Sequence, residues 1–224
     1  MYFLRDPQSY SKRAEKEFNK FRTFFQILVC KYIYMVYYKL ICRLEVHGLE
    51  NVPKNNEYIV CANHLSSLDP PLMCAVMPRR VSFMAKKELF QKPLMRLWMD
   101  WLGAFAVNRE KLGASTIKTA MSIKNTDWVL GLFPQGTRGE DGIIKDISKG
   151  FASIAKVTKC GILPVGILGT HNKKILPFTG KIIVKIGEVI PYNDDFDQMV
   201  LDWARAIEKL TGFKYEGQIY GAAV

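Results

Sequence analysis

Three histidines, His47, His64 and His171, are all the imidazoles in this 224-residue chain, and a proton transfer near neutral pH turns first to one of them. His64 has the company for it, in the run Asn63-His64-Leu65-Ser66-Ser67-Leu68-Asp69-Pro70. A carboxylate behind a histidine fixes the ring's tautomer and supports the cation formed when the other nitrogen takes a proton. His47 precedes Gly48 and opens a turn, and His171 follows Gly169-Thr170 in a loop. Each of those two reads as an ordinary surface or pocket residue.

Asp69 lies five residues after His64, an offset of about 140° around a continuous helix, so on one helix the two side chains do not meet. In a turn entering a helix they can. Ser66 or Ser67 is the expected cap, and Pro70 and Pro71 suit the first turn, which bends the carboxylate back towards the ring. The spacing alone reads equally well as Asp69 capping the helix. A covalent serine mechanism through Ser66 or Ser67 lacks the Gly-x-Ser-x-Gly elbow that exposes such a nucleophile. His-x4-Asp supplies no established zinc pair and the other histidines are isolated, so no metal is expected.

The residues around this pair set its frame. Residues 57–62 are rich in β-branched and aromatic side chains, as a buried strand is, and the polar run from Asn63 to Ser67 reads as its exit loop. Further apolar runs at 81–85, 104–107, 128–133, 162–167 and 182–186 read as strands. Helical patterns at 70–77, 92–100, 114–125, 149–158 and 196–210 lie between or after them. Strands alternating with helices predict an α/β fold, a mixed and mostly parallel sheet flanked by helices, with sites at the loops leaving the strand ends.

Composition narrows the partners. Apolar residues make up 49% of the chain and charged residues 24%, which excludes a disordered chain. The net charge of +11 calls for an anionic partner. No reading helix, zinc module or aromatic RNA-binding strand is present, so nucleic acid falls behind lipid headgroups and phosphorylated substrates. The five cysteines never take a Cys-x-x-Cys spacing and read as buried thiols of a reducing compartment.

Residues 1–45 hold nine Lys/Arg against four Asp/Glu, a net of +5. Within them, Ala14, Phe18, Phe21, Phe25 and Leu28 fall on one helical stripe of a first stretch, 11–28, whose other faces carry Lys12, Arg13, Glu15, Lys16, Lys20 and Arg22. A second stretch, 31–43, gathers Lys31, Lys39 and Arg43 on one side and places Tyr32, Tyr34, Tyr37 and Tyr38 beside them as interfacial anchors. The uncharged runs, 23–30 and 32–38, are short against the ~20 residues a span needs. Residues 1–45 are therefore expected to form an amphipathic two-helix appendage lying in an anionic membrane surface, ahead of an α/β domain over 46–224. Residues 1–20 carry no apolar run with a small-residue cleavage site, so no cleaved signal is expected, and the membrane is read as the cytoplasmic face of the cell membrane.

Asn63-His64-x4-Asp69 is the first of four ordered blocks. The second begins Phe83-Met84-Ala85-Lys86-Lys87-Glu88-Leu89, continues through Pro93 to Gly103 and ends at Val107-Asn108-Arg109. The third is Phe133-Pro134-Gln135-Gly136-Thr137-Arg138, and the fourth Ile162-Leu163-Pro164-Val165-Gly166. In their order and spacing the sequence resembles the glycerolipid acyltransferase family, and within it most the 1-acyl-sn-glycerol-3-phosphate (lysophosphatidic acid) acyltransferases.

That resemblance implies direct transfer of a fatty acyl group to the sn-2 hydroxyl of lysophosphatidic acid, giving phosphatidic acid. His64 is then the general base, backed by Asp69, and no acyl-enzyme forms. It further implies that Lys86, Arg109 and Arg138 receive the acceptor's phosphate, Arg138 above all, since a planar guanidinium can grip phosphate oxygens in pairs. Gly136 would let the backbone approach the headgroup, and Thr137 would offer a hydroxyl. No resident cofactor is implied; the co-substrate is an acyl-CoA or acyl carrier protein thioester. Gln135 is implied with Gly136 and Thr137 as a substrate-binding residue; the position departs from the family pattern, which usually has glutamate, and glutamine keeps the shape and one acceptor while losing the charge. Glycerol 3-phosphate or another lysophospholipid as acceptor, and a catalytically impaired membrane-binding member, are the alternatives.

Overall fold

In a computed structural model, residues 10–107, 113–171 and 180–221 are described. A seven-stranded sheet runs in the order β1-β9-β8-β2-β5-β3-β4. Its strands are β1 (Glu45–His47), β2 (Tyr58–Ala62), β3 (Val81–Lys86), β4 (Phe105–Val107), β5 (Val129–Leu132), β8 (Gly161–Leu168) and β9 (Ile183–Ile186). Every pairing in it is parallel except β8 with β9. Two short parallel pairs lie outside the sheet, β6 (Ile143–Ile144) with β10 (Lys214–Tyr215) and β7 (Ile147–Ser148) with β11 (Ile219–Tyr220). The α/β expectation holds, strand by strand, for every run named from the sequence.

The centre of the sheet is buried on both faces, which is why β2 reads as an unbroken apolar run rather than an alternating one. Ile59 and Cys61 join Leu130, Ile162 and Trp203 on one side, while Tyr58, Val60 and Ala62 join Leu72, Val129 and Val165 on the other, the period-2 alternation of a pleated strand. Helices α4 (Ala114–Lys124), α5 (Gly150–Thr158) and α6 (Phe196–Thr211) cover the first face. Helix α2 (Asp69–Val76) and the N-terminal helix α1 (Lys20–Ile41) cover the second, while α3 (Pro93–Trp101) flanks the start of α1. All five cysteines are buried free thiols.

The N-terminal region departs from the sequence reading. Instead of two amphipathic helices there is one, Lys20–Ile41, which widens into π-type turns over Ile27–Tyr34 and Tyr37–Ile41 and so passes through Lys31 without breaking. Asn19 caps its start, accepting from the Arg22 N–H at 3.1 Å. Arg13 and Arg22 are buried rather than surface charges, both paired with Asp100 of α3 at 2.8 and 2.9 Å. Lys31, expected among headgroups, turns inward and donates to the Ala75 carbonyl at the end of α2 (2.8 Å). Tyr38 is fully buried, its hydroxyl donating to the Leu68 carbonyl at 2.8 Å, so of the four tyrosines Tyr32 is the one classed as exposed.

What α1 leaves outside is mainly apolar, beside Lys20 and Lys39. Phe24 is 63% exposed, Leu28 41% and Leu40 66%, and on α3 Leu94 is 82% exposed. Phe25 of α1 packs edge-on against Trp98 and Trp101 of α3, joining the two exposed faces into one patch. By length and composition alone, the 22-residue helix is long and apolar enough to cross a membrane.

Candidate active site

The loop leaving β2 enters α2 within six residues, and Asp69 is the first residue of that helix. Pro70 and Pro71 occupy its first turn, where their missing N–H groups cost nothing. Neither serine caps the helix: the cap is Leu68, and the Ser66 hydroxyl instead accepts from the Leu68 N–H at 3.3 Å. Asp69 Oδ2 reaches back and accepts from the Leu65 and Ser66 N–H groups, each at 2.7 Å, and meets His64 Nδ1 at 2.8 Å. Asp69 is therefore not the helix cap: one oxygen clamps the turn ahead of the helix and partners the ring. Asp69 is fully buried and the His64 side chain is 11% exposed, so the carboxylate acts out of water, where such bonds are strong. Among the described residues, His64 Nε2 has no hydrogen-bond partner, which leaves it open to a substrate proton.

A stack of rings fixes the other side of the imidazole. His64 lies on Phe133 with centroids 4.1 Å apart, and Phe133 lies on Phe83 at 5.1 Å. Gly131 makes room for this, since a Cβ there would sit 2.6 Å from the Phe83 ring. Asn63 ties the exit of β2 to β8, donating to the Ile167 carbonyl (2.9 Å) and accepting from the Ile167 N–H (2.7 Å). Neither Phe133 nor Asn63 stood out in the sequence as a support for the histidine.

Gln135 is buried and turned towards His64: its Oε1 accepts from the His64 N–H at 3.1 Å. The loop then continues through Gly136, whose φ of +69° suits glycine, to exposed Thr137 and Arg138. Gly139, next in line, donates its N–H to the His64 carbonyl at 2.7 Å. The third block and the glycine that follows it thus grip the main chain of His64 from two sides. Lys86 is exposed at the C-terminal end of β3, on the same edge of the sheet as the β2 exit. Arg109, two positions past β4, lies outside the described residues. Among those described, neither the Lys86 ammonium nor the Arg138 guanidinium has an ion-pair partner. No group of three His, Cys, Asp or Glu side chains among them is placed to hold a metal.

Beside the dyad a cavity of about 160 Å³ opens, lined by Met84, Val107, Leu132, Phe133, Thr137 and Tyr220 among others. Its lining is mainly apolar, and Phe133 belongs both to it and to the stack under His64. Tyr220, on β11, donates its hydroxyl to the Gln135 carbonyl at 3.3 Å and so closes one wall from the far end of the chain. Of the other two histidines, exposed His47 lies 3.7 Å from Glu45 on the edge strand, and His171 lies 3.3 Å from Asp141.

A carboxylate-backed histidine stacked on a ring that lines an apolar cavity is chemistry suited to taking a proton from an alcohol held beside a fatty chain. A family model described as Acyltransferase matches residues 43–168, and the chain belongs to that family. It is 30% identical over 152 residues to the 1-acyl-sn-glycerol-3-phosphate acyltransferase of Bacillus subtilis, covering 67% of this chain and 75% of that protein. The enzyme of the same name from Streptococcus pneumoniae is 35% identical over 151 residues, 66% of this chain and 56% of its own. The crystal structure of the 1-acyl-sn-glycerophosphate (LPA) acyltransferase of Thermotoga maritima shares the fold, with a TM-score of 0.69 at 24% identity over 85% of this chain and 80% of that one.

Proposed function

We propose that the chain transfers a fatty acyl group from an acyl thioester to the sn-2 hydroxyl of 1-acyl-sn-glycerol 3-phosphate, giving phosphatidic acid. The observation that carries this is the 2.8 Å contact of His64 Nδ1 with Asp69 Oδ2. With Nδ1–H donating to the carboxylate, the lone pair of Nε2 takes the hydroxyl proton as the oxygen attacks the thioester carbonyl. The tetrahedral centre collapses with cleavage of the C–S bond, and the imidazolium returns its proton to the departing thiolate. Phosphatidic acid and the free thiol are the products, and no covalent enzyme intermediate is required. General-base action of this kind contributes ~10²–10⁴-fold, and holding the two substrates in line supplies much of the rest. The names of the Bacillus and Streptococcus relatives support the acceptor.

In this reading the acyl chain occupies the apolar cavity beside Phe133, while Arg138, with Lys86 and Arg109, receives the acceptor's phosphate at the adjoining rim. The donor is acyl-CoA or acyl carrier protein. The exposed apolar faces of α1 and α3 rest on an anionic membrane surface, consistent with the +11 charge. Lying on the surface suits α1 better than crossing it. Gln26 donates to the Val81 and Leu102 carbonyls and Lys31 to that of Ala75, bonds a spanning helix would have to give up. The direct test is purified protein with lysophosphatidic acid and each thioester in turn. Formation of phosphatidic acid is expected with at least one donor, and none with either refutes the reading.

A further inference from the structure

A second cavity, about 220 Å³, opens beside α1 and is lined by Gln26, Lys31, Tyr32, Cys74, Arg79 and Arg80 among others. It lies at the opposite end of the sheet from the dyad. Arg79 and Arg80 lead into β3, and the Arg80 carbonyl accepts from the Val129 N–H at the start of β5 (2.9 Å), whereas His64 follows the far end of parallel β2. Five steps along β3, at ~3.3 Å each, separate the two ends by roughly 16 Å.

Three cations line this cavity and no carboxylate does. Lys31 donates to the Ala75 and Met77 carbonyls, and Arg79 to those of Lys54, Asn55 and Asp127. These acceptors are neutral and leave the charges standing. Asp127 approaches Arg80 at 3.7 Å, but its side chain is 83% exposed, where screening makes such pairs weak. Arg80 Nε is buried with no hydrogen-bond partner among the described residues, an unusual state for a strong donor. Burial holds the Lys31 ammonium below its usual pKa, and the nearby Arg80 adds to that lowering. A donor set of this kind suits an anion with several acceptor oxygens.

We propose that this cavity is an anion site, separate from the reaction centre, that takes the phosphate oxyanion of a membrane phospholipid headgroup on Arg80 and Lys31. The chemistry is that of phosphate; the lipid as its source rests on the reading of α1 as membrane-facing. Tyr32 is 65% exposed at the rim of the cavity and belongs to the helix that carries Phe24 and Leu28. A lipid lying against that face would present its headgroup at the level of the opening.

The test is co-sedimentation with phosphatidylcholine vesicles, with and without phosphatidylglycerol, using Arg80→Gln, the charge-keeping Arg80→Lys, and a control, Lys209→Gln, at an exposed position of α6. Arg80→Gln should weaken binding to the anionic vesicles by about tenfold or more, the loss of charge-assisted hydrogen bonds to an oxyanion. Arg80→Lys should recover part of that, and Lys209→Gln should cost less than about fivefold, as a generic surface charge does. Equal losses in Arg80→Gln and Lys209→Gln would overturn the site. Inorganic phosphate added at constant ionic strength should displace part of the wild-type binding to the anionic vesicles and leave Arg80→Gln unaffected; phosphate binding that depends on Arg80 but leaves vesicle binding unchanged would overturn the lipid as the source. Acyl transfer in detergent micelles should be unchanged by Arg80→Gln, so a failure here stands apart from a failure of the proposed reaction.

Discussion

Replacing Asp69 by asparagine separates its two tasks. In the native turn, Oδ2 carries three bonds, two from the Leu65 and Ser66 N–H groups at 2.7 Å and one from His64 at 2.8 Å. An asparagine oxygen in that position still accepts from both main-chain donors, at neutral rather than charge-assisted strength, a loss of ~1 kcal/mol each, or about 2 kcal/mol of stability. The protein should stay folded, with its melting temperature lowered by a few degrees. Chemistry suffers more, because the neutral amide oxygen, although it still accepts from Nδ1–H, no longer supports an imidazolium. In the serine-protease triad the same change lowers kcat by ~10⁴ with the ring left in the wrong tautomer; here the tautomer is kept and a smaller fall, ~10²–10³, is expected, with KM for lysophosphatidic acid nearly constant. The assay is phosphatidic acid formation under saturating substrates, beside thermal unfolding of the same preparation. A folded Asp69→Asn protein within about tenfold of wild-type kcat would show that the carboxylate only clamps the turn.

Other outcomes follow from the same geometry. Gln135→Leu strands the buried His64 N–H and should cost ~1–3 kcal/mol in chemical denaturation, whereas Gln135→Glu keeps an acceptor there and should retain most of the stability. Arg138→Ala should raise KM for lysophosphatidic acid by roughly tenfold or more in steady-state kinetics while sparing KM for the thioester, and Arg138→Lys should restore it only in part. The pair Phe24→Asp and Leu94→Asp, placed on exposed positions of α1 and α3, should abolish most sedimentation with vesicles and leave the melting temperature within about 2 °C.

The sheet was legible because its central strands are buried on both faces, so runs such as 57–62 and 162–167 announce themselves without alternation. The short strands β1, β6, β7, β10 and β11 carry too little pattern to be seen, whereas three-residue β4 shows because all of it is buried. The division of the N-terminus at Lys31 failed for a physical reason: a charge in an apolar helix looks like an exposed residue, yet this one finds carbonyl acceptors at the end of α2. Tyr38 misled in the same way, since its hydroxyl is satisfied inside, on Leu68. Of the site, His64 and Asp69 were readable from residue type and the four blocks together. The supports were not. Phe133 acts through ring geometry, Gln135 through a bond to main chain 71 positions away, and Tyr220 through a strand at the far end of the chain.

The central claim is that the imidazole of His64 removes the acceptor's proton. Its most direct measurement is single-turnover phosphatidic acid formation by His64→Ala beside wild type, with vesicle binding and melting temperature recorded on the same samples. A drop of ~10²–10⁴-fold in the transfer step is predicted, with binding and folding retained. Transfer at the wild-type rate by the folded His64→Ala protein would contradict the account.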